Sequence, residues 1–301
     1  MIDAELSFPS LPGEAVGEPE DSGALRYDDV IQDGRLRLES AWRPTGKLLW
    51  RDPDAARVFG SMKGGVTNVL SRVTLQASDA RLEPRASLRT RVSYRFEHTV
   101  NDAGAVDRIL FSTWVEVHGK GRDGGYVPAA RAYGQRVFTQ LGAPPGKHLV
   151  TNLDAFGEAG HPPDRVTWEP VTALLTPPPG AALLDRAPRL DSVPVLFGLT
   201  HTDLNQHVNF LMYHRAIEQA ALSRSKELGH GARLASREVS LGYRKPSFAG
   251  DEVRVAVQAF RLGGGFGVLA AVVTDDGGPA ERERFADFGS PRVVAQMLLR
   301  S

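Results

Sequence analysis

Along the chain, apolar and polar positions alternate most plainly at Leu88, Thr90, Val92, Tyr94 and Phe96, which interleave with Arg89, Arg91, Ser93 and Arg95. A period of two predicts a strand with one buried and one solvated face. Further strands are expected at residues 109–118 and 126–139. Ahead of them, residues 64–76 read as a helix in spite of their β-branched members. A second series begins with a short strand at 193–200 and a helix over 207–228. Val239, Leu241 and Tyr243 then alternate, as do Val253, Val255, Val257 and Ala259. Residues 266–274 follow a glycine turn, Asp275-Asp276-Gly277-Gly278 suggests another hairpin, and residues 282–288 read as the last strand. The same plan occurs twice: one helix and one antiparallel sheet.

Between the two series, residues 142–190 carry nine of the 20 prolines. Proline fixes φ and removes an amide donor, so this stretch resists helix and central strand alike. It reads as a long linker laid over the surface, with short strands possible around Val166-Thr167-Trp168. The N-terminal 25 residues hold Asp3, Glu5, Glu14, Glu18, Glu20 and Asp21 and no base before Arg26, as expected of a solvated acidic tail or an irregular arm. The expected division is therefore 1–25, 26–141, 142–190 and 191–301.

Composition narrows the function. Lys+Arg 36 against Asp+Glu 36 gives a formal charge of +0, which argues against a broad nucleic-acid face. No apolar run reaches the ~18 residues of a membrane span, and the start lacks the pattern of a signal peptide. Without cysteine there is no disulfide, thiolate metal site or cysteine nucleophile; the absence fits a cytoplasmic protein. The histidines show no metal-binding spacing, and no nucleotide loop or G-x-S-x-G elbow is present. Gly263-Gly264-Gly265-Phe266-Gly267 reads as a hairpin turn between strands. No cofactor, metal, nucleic-acid partner or membrane partner is expected.

The densest polar run is Thr200-His201-Thr202-Asp203-Leu204-Asn205-Gln206-His207-Val208-Asn209, at the passage from strand to helix. Asp203 and Asn205 suit a helix N-cap. Free amides at such a helix start can hold an oxyanion or a carbonyl. A carboxylate, an amide and an imidazole within five positions can supply a base, a positioning group and a proton shuttle. The same residues also make a plain capped helix with a polar first turn.

Asp203-Leu204-Asn205-Gln206-His207-Val208-Asn209, with Tyr213 and Glu218 beyond it, resembles the signature of the hotdog-fold fatty acyl–acyl-carrier-protein thioesterases. Tyr243-Arg244-Lys245-Pro246 with Gly250-Asp251 resembles a strand entry common in hotdog thioesterases. The resemblance implies an α+β fold of two tandem hotdog domains, each a long helix wrapped by an antiparallel sheet, joined by the proline-rich linker. It implies hydrolysis of an acyl thioester of acyl carrier protein or coenzyme A, with Asp203, Asn205 and His207 catalytic and Val208, Asn209, Tyr213 and Tyr243 lining the substrate site. Met62-Lys63-Gly64-Gly65-Val66 is similar to the H-G-G that opens the helix of other hotdog thioesterases, with Lys63 in place of His. Gly64 and Gly65 would then approach substrate, although this half lacks the D-x-N-x-H run and is expected to be a degenerate, structural copy. Plant members carry Glu and Cys where Pro246 and Ser247 stand here, so water activation falls to Asp203, His207 or the first half. His201 and His214 are further pocket candidates, and Arg233, Arg237, Arg244 and Lys245 could meet phosphopantetheine or an acidic carrier. A hotdog hydratase or dehydratase on enoyl or 3-hydroxyacyl thioesters and a non-catalytic acyl-thioester-binding protein are the alternatives. A monomeric double hotdog and a homodimer both fit.

Overall fold

The computed structural model describes residues 6–10, 16–42, 49, 51–144, 147–230, 234–275 and 277–301. Asp3, Glu5, Glu14, Pro145, Arg233 and Asp276 therefore lie outside the described residues. The chain divides into two compact units, one of Phe8–Glu169 and one of Pro170–Ser301 with Leu6 and Ser7.

In the first unit, strands β1 (Val16–Ala24), β2 (Val66–Ala77), β3 (Ser87–Val100), β4 (Val106–Lys120) and β5 (Tyr126–Gln140) pair antiparallel in the order β1-β3-β4-β5-β2. The strand β1 corrects the expectation of an unstructured acidic arm over its length: its backbone pairs with β3, Val16 opposite Val92 and Ala24 opposite Ser87. Helix α1 (Pro53–Gly60) precedes β2. Its N-cap Asp52 accepts from the amides of Asp54 and Ala55, and the Tyr94 hydroxyl of β3 donates to the same carboxylate. Phe59 of α1 meets Phe96 and Phe111 edge-on, inside a core that also contains Val58, Val92, Ile109, Phe138, Val150 and Leu153.

Of residues 64–76, expected to be helical, Gly64 and Gly65 form a turn and the rest belong to strand β2. Val66, Val69, Leu70 and Val73 do recur at helical spacing. The spacing has a different origin, because the ladder to β5 shifts register between Leu70 and Arg72. An extra residue at such a bulge moves the following side chains to the other face and breaks the period of two.

The second unit has helix α2 (Phe210–Glu227) and strands β6 (Ala235–Tyr243), β7 (Glu252–Leu262), β8 (Gly265–Val273) and β9 (Val293–Arg300), in the order β6-β9-β8-β7. Tyr213, Ala216, Ile217, Ala220 and Ala221 form the buried side of α2, which lies on β6, β7 and β8. Small residues let the helix approach the sheet. The glycine turn stands as expected, with Leu262 opposite Gly265. Residues 282–288 are not a strand: Phe285–Phe288 is a 3-10 turn whose Arg284 amide donates to Asp287. The last strand is β9, which runs between β6 and β8 and is buried on both faces, so it lacks the alternation that would announce it.

The proline-rich segment packs against both units in turn. Residues Asp164–Arg165 pair parallel with β3, Arg108 lies over the Trp168 ring at 4.3 Å, and Arg72 reaches Glu169 at 3.0 Å. Farther on, Val171, Leu174, Leu175 and Ala181 pack on the outer face of the second sheet. Gly242 makes room there, since a Cβ on it would stand 2.5 Å from Val171 Cβ. Asp185, with its carboxylate buried, accepts from the Ala259 amide at 2.8 Å and from Arg224 Nε of α2 at 3.1 Å.

Candidate functional site

The strand expected at 193–200 is reduced to Val195–Leu196, paired with Glu252 and Val253 of β7, followed by a 3-10 turn at Leu199–His201. The polar run then forms a tight loop. Thr202 and Val208 pair across its neck, the Asp203 amide donates to the His207 carbonyl at 2.9 Å, and the Gln206 amide donates to the Asp203 carbonyl at 2.9 Å. Reversal in so few residues puts Gln206 at φ +64, a conformation non-glycine residues seldom adopt.

This loop delays the helix. The Val208 amide donates to the Ser247 carbonyl at 2.8 Å, holding the chain extended, and α2 begins only at Phe210. Its N-cap is Asn209, whose side chain accepts from the Leu211 amide at 3.0 Å. The expectation that Asp203 or Asn205 caps the helix is therefore corrected. Asp203 instead accepts from the Asn205 amide at 2.8 Å in a turn of its own. Amides for an acceptor are also displaced from the helix start. The Leu211 and Met212 amides are taken by Asn209, whereas the His207 amide, beside the left-handed Gln206, has no hydrogen-bond partner among the described residues.

Asp203, Asn205 and His207 are brought together on this one loop, each exposed, with no hydrogen bond linking their side chains. The His207 ring lies edge-on to Phe248 at 5.3 Å. His201 is half-buried and turned inward: its Nδ1 accepts from the Gly198 amide at 2.9 Å, which leaves the proton of the neutral ring on Nε2, and its ring meets Phe197 at 6.0 Å. Val208 and Tyr213 are buried beneath the loop. Tyr213 Oη accepts from the Ser247 amide at 2.9 Å, and its ring meets Tyr243 at 6.1 Å. Burial raises the Tyr213 pKa, the hydrogen bond from the Ser247 amide pulling it back, and burial holds the Tyr243 phenol well above its ordinary value.

Two tertiary ties are not visible in the motif. Ser247 ties the loop, the helix and β6 together through its backbone, and its side chain is fully buried. Arg292, just before β9, ties down residues 244–251, donating to the Pro246 carbonyl at 2.7 Å and pairing with Asp251 at 2.9 Å. Both act across long stretches of chain, which local patterning does not reveal. His214 belongs to a separate buried group, its Nε2 3.3 Å from Ser236 Oγ, which in turn meets Glu218.

Gly64 and Gly65 lie in the first unit, at φ +61 and +86 in a turn closed by the Val66 amide and the Lys63 carbonyl at 3.1 Å. They open strand β2 and no helix, so the helix-start role expected of them is corrected. Among the described residues no group of His, Asp and Glu side chains could hold a metal ion, and no helix is long and apolar enough to cross a membrane.

Neither a protein-family model nor a curated protein matches the chain. Solved structures do. A putative oleoyl thioesterase from Lactobacillus plantarum superposes with a TM-score of 0.58 at 11% identity over 96% of each chain. A 12:0-ACP thioesterase from Umbellularia californica gives 0.53 at 12% identity over 92% of this chain and 91% of that one. An acyl-ACP thioesterase from Bacteroides thetaiotaomicron gives 0.50 at 14% identity over 92% and 95%. At such identities the likeness is one of fold, an antiparallel α+β architecture with a helix laid on its sheet. The chain has the hotdog fold of the acyl-ACP thioesterases.

Proposed function

We propose that the protein is a thioester hydrolase releasing an acyl chain from an acyl carrier protein or coenzyme A. The observation that carries this reading is the loop 203–207, which exposes a carboxylate, a carboxamide and an imidazole around an amide without a partner. The thioester carbonyl oxygen accepts from the His207 amide, where the negative charge of a tetrahedral intermediate would develop. His207 or Asp203 takes a proton from water as its oxygen bonds to the carbonyl carbon. Asn205 orients that water or the carbonyl. The C–S bond then breaks, the thiolate takes up a proton, and the free acid leaves. Val208, Asn209, Tyr213 and Tyr243 stand around the first part of the acyl chain, between α2 and the inner face of β6.

The two units are read as tandem hotdogs joined by the proline-rich segment, the second bearing the chemistry and the first a structural copy in which Gly64 and Gly65 turn the chain. The cysteine-free composition fits a cytoplasmic enzyme, as a monomeric double hotdog or a homodimer. The test is thioester cleavage across a panel of acyl-coenzyme A and acyl-carrier substrates, with a thiol reagent detecting release. Asp203→Ala and His207→Ala are each expected to lower kcat/KM by at least about tenfold with unchanged melting temperature. Near-normal rates in both variants would overturn the assignment.

A further inference from the structure

Directly beneath the loop, two buried hydroxyls lack a hydrogen-bond partner: Tyr243 Oη and Ser247 Oγ. Ser247 is 0% exposed. Both flank Tyr213, the first through ring contact at 6.1 Å and the second through its amide at 2.9 Å from Tyr213 Oη. Leaving a hydroxyl buried and unpaired costs free energy, and native proteins rarely tolerate it without a use. Here two such groups lie to either side of one tyrosine of α2, one at the end of β6 and one on the loop after it. A purely alkyl ligand would leave them unpaired, whereas a ligand with an oxygen at that depth would satisfy them.

The depth can be placed along the helix. Ser247 stands beside the loop, its carbonyl accepting from Val208, the neighbour of His207, and Tyr213 follows Asn209 by about one helical turn, about 6 Å along the axis, so the hydroxyls lie near the first carbons beyond a thioester carbonyl held at His207. We propose that Tyr243 and Ser247 read an oxygen substituent near the head of the acyl chain, so that the site takes β-hydroxy- or β-oxoacyl thioesters in preference to saturated ones. This rests on the thioester-hydrolase reading. The selection works by penalty as much as by attraction, because polar groups built to bond a substrate oxygen reject the analogue that lacks it.

The test compares β-hydroxydecanoyl-coenzyme A, β-oxodecanoyl-coenzyme A and decanoyl-coenzyme A on the full chain, by kcat/KM where they are hydrolysed and by calorimetric Kd where they are not. The expected result is a preference of at least about tenfold for one oxygenated substrate, reduced severalfold in Tyr243→Phe and in Ser247→Ala, and retained in Tyr27→Phe, a change at an exposed tyrosine. Thermal melting of each variant reports folding, and Tyr243→Phe and Ser247→Ala are expected to melt no lower than the parent because each removes an unpaired group. Equal preference for the saturated substrate, or a preference that survives both substitutions, overturns the inference and leaves the hydroxyls to buried solvent. Absence of any hydrolysis overturns the enzymatic reading, while the ratio of Kd values still decides the inference.

Discussion

Gln206 stands at φ +64 because five residues must reverse the chain between the paired Thr202 and Val208. An L side chain in the left-handed region costs ~1–2 kcal/mol, and the hydrogen bonds at the neck of the loop sustain it. Gln206→Gly is therefore expected to melt at the same temperature as the parent or higher, and Gln206→Val to lose about 1–2 kcal/mol. Calorimetric melting of the pair checks this, and a clearly destabilised glycine variant would contradict it. Glu97, on β3, shows the other way a residue bears strain. Burial lifts its pKa above 4.5, only partly offset by the Ser112 hydroxyl, which donates to it at 2.7 Å, and by the charge of Arg95. An acid with a raised folded pKa binds its proton more tightly folded than unfolded. Its stabilising contribution is thus present below pH 4.5 and is lost as pH rises through the folded value. Glu97→Gln is expected to remove that decline and to melt higher than the parent at neutral pH, read from melting curves across pH.

At the scale of elements, patterns that depend on neighbours alone were legible and patterns that depend on partners were not. The alternation at Leu88 to Phe96 survives because β3 has distinct faces. In β2 a bulge imitates helical spacing, and in β9 burial on both sides erases the alternation. The apolar side of α2 marks the helix in the sequence, but the helix starts three residues later than that pattern predicts because the Ser247 carbonyl holds Val208 extended. The same dependence fixes the far end of α2, where Arg224 clasps the buried Asp185. Removing that carboxylate leaves the largely buried Arg224 guanidinium with Glu227 alone, at 2.6 Å, and frees the Ala259 amide, so Asp185→Ala is expected to cost about 1.5–3 kcal/mol. Urea unfolding of the full chain measures it; a loss within ~0.5 kcal/mol would place the pair among those that contribute little.

At the scale of the whole molecule, the sequence alone determined the class of the chain, the presence of two series of strands, and the polar run that carries the proposed chemistry. These follow from covalent neighbours: period-two alternation, a proline-rich interruption, and side chains crowded into ten consecutive positions. Tertiary structure decided what that run becomes. Asp203 caps its own turn and not the helix, the unpartnered amide belongs to His207, and Gly64 and Gly65 open a strand. It also decided that Tyr243 and Ser247 meet around Tyr213, 34 residues from Ser247 in the chain. Hydrogen bonds and burial join residues distant in sequence, and their strength depends on geometry and on exclusion of water. Neither is encoded in local spacing; both appear only once the sheet has closed on its helix.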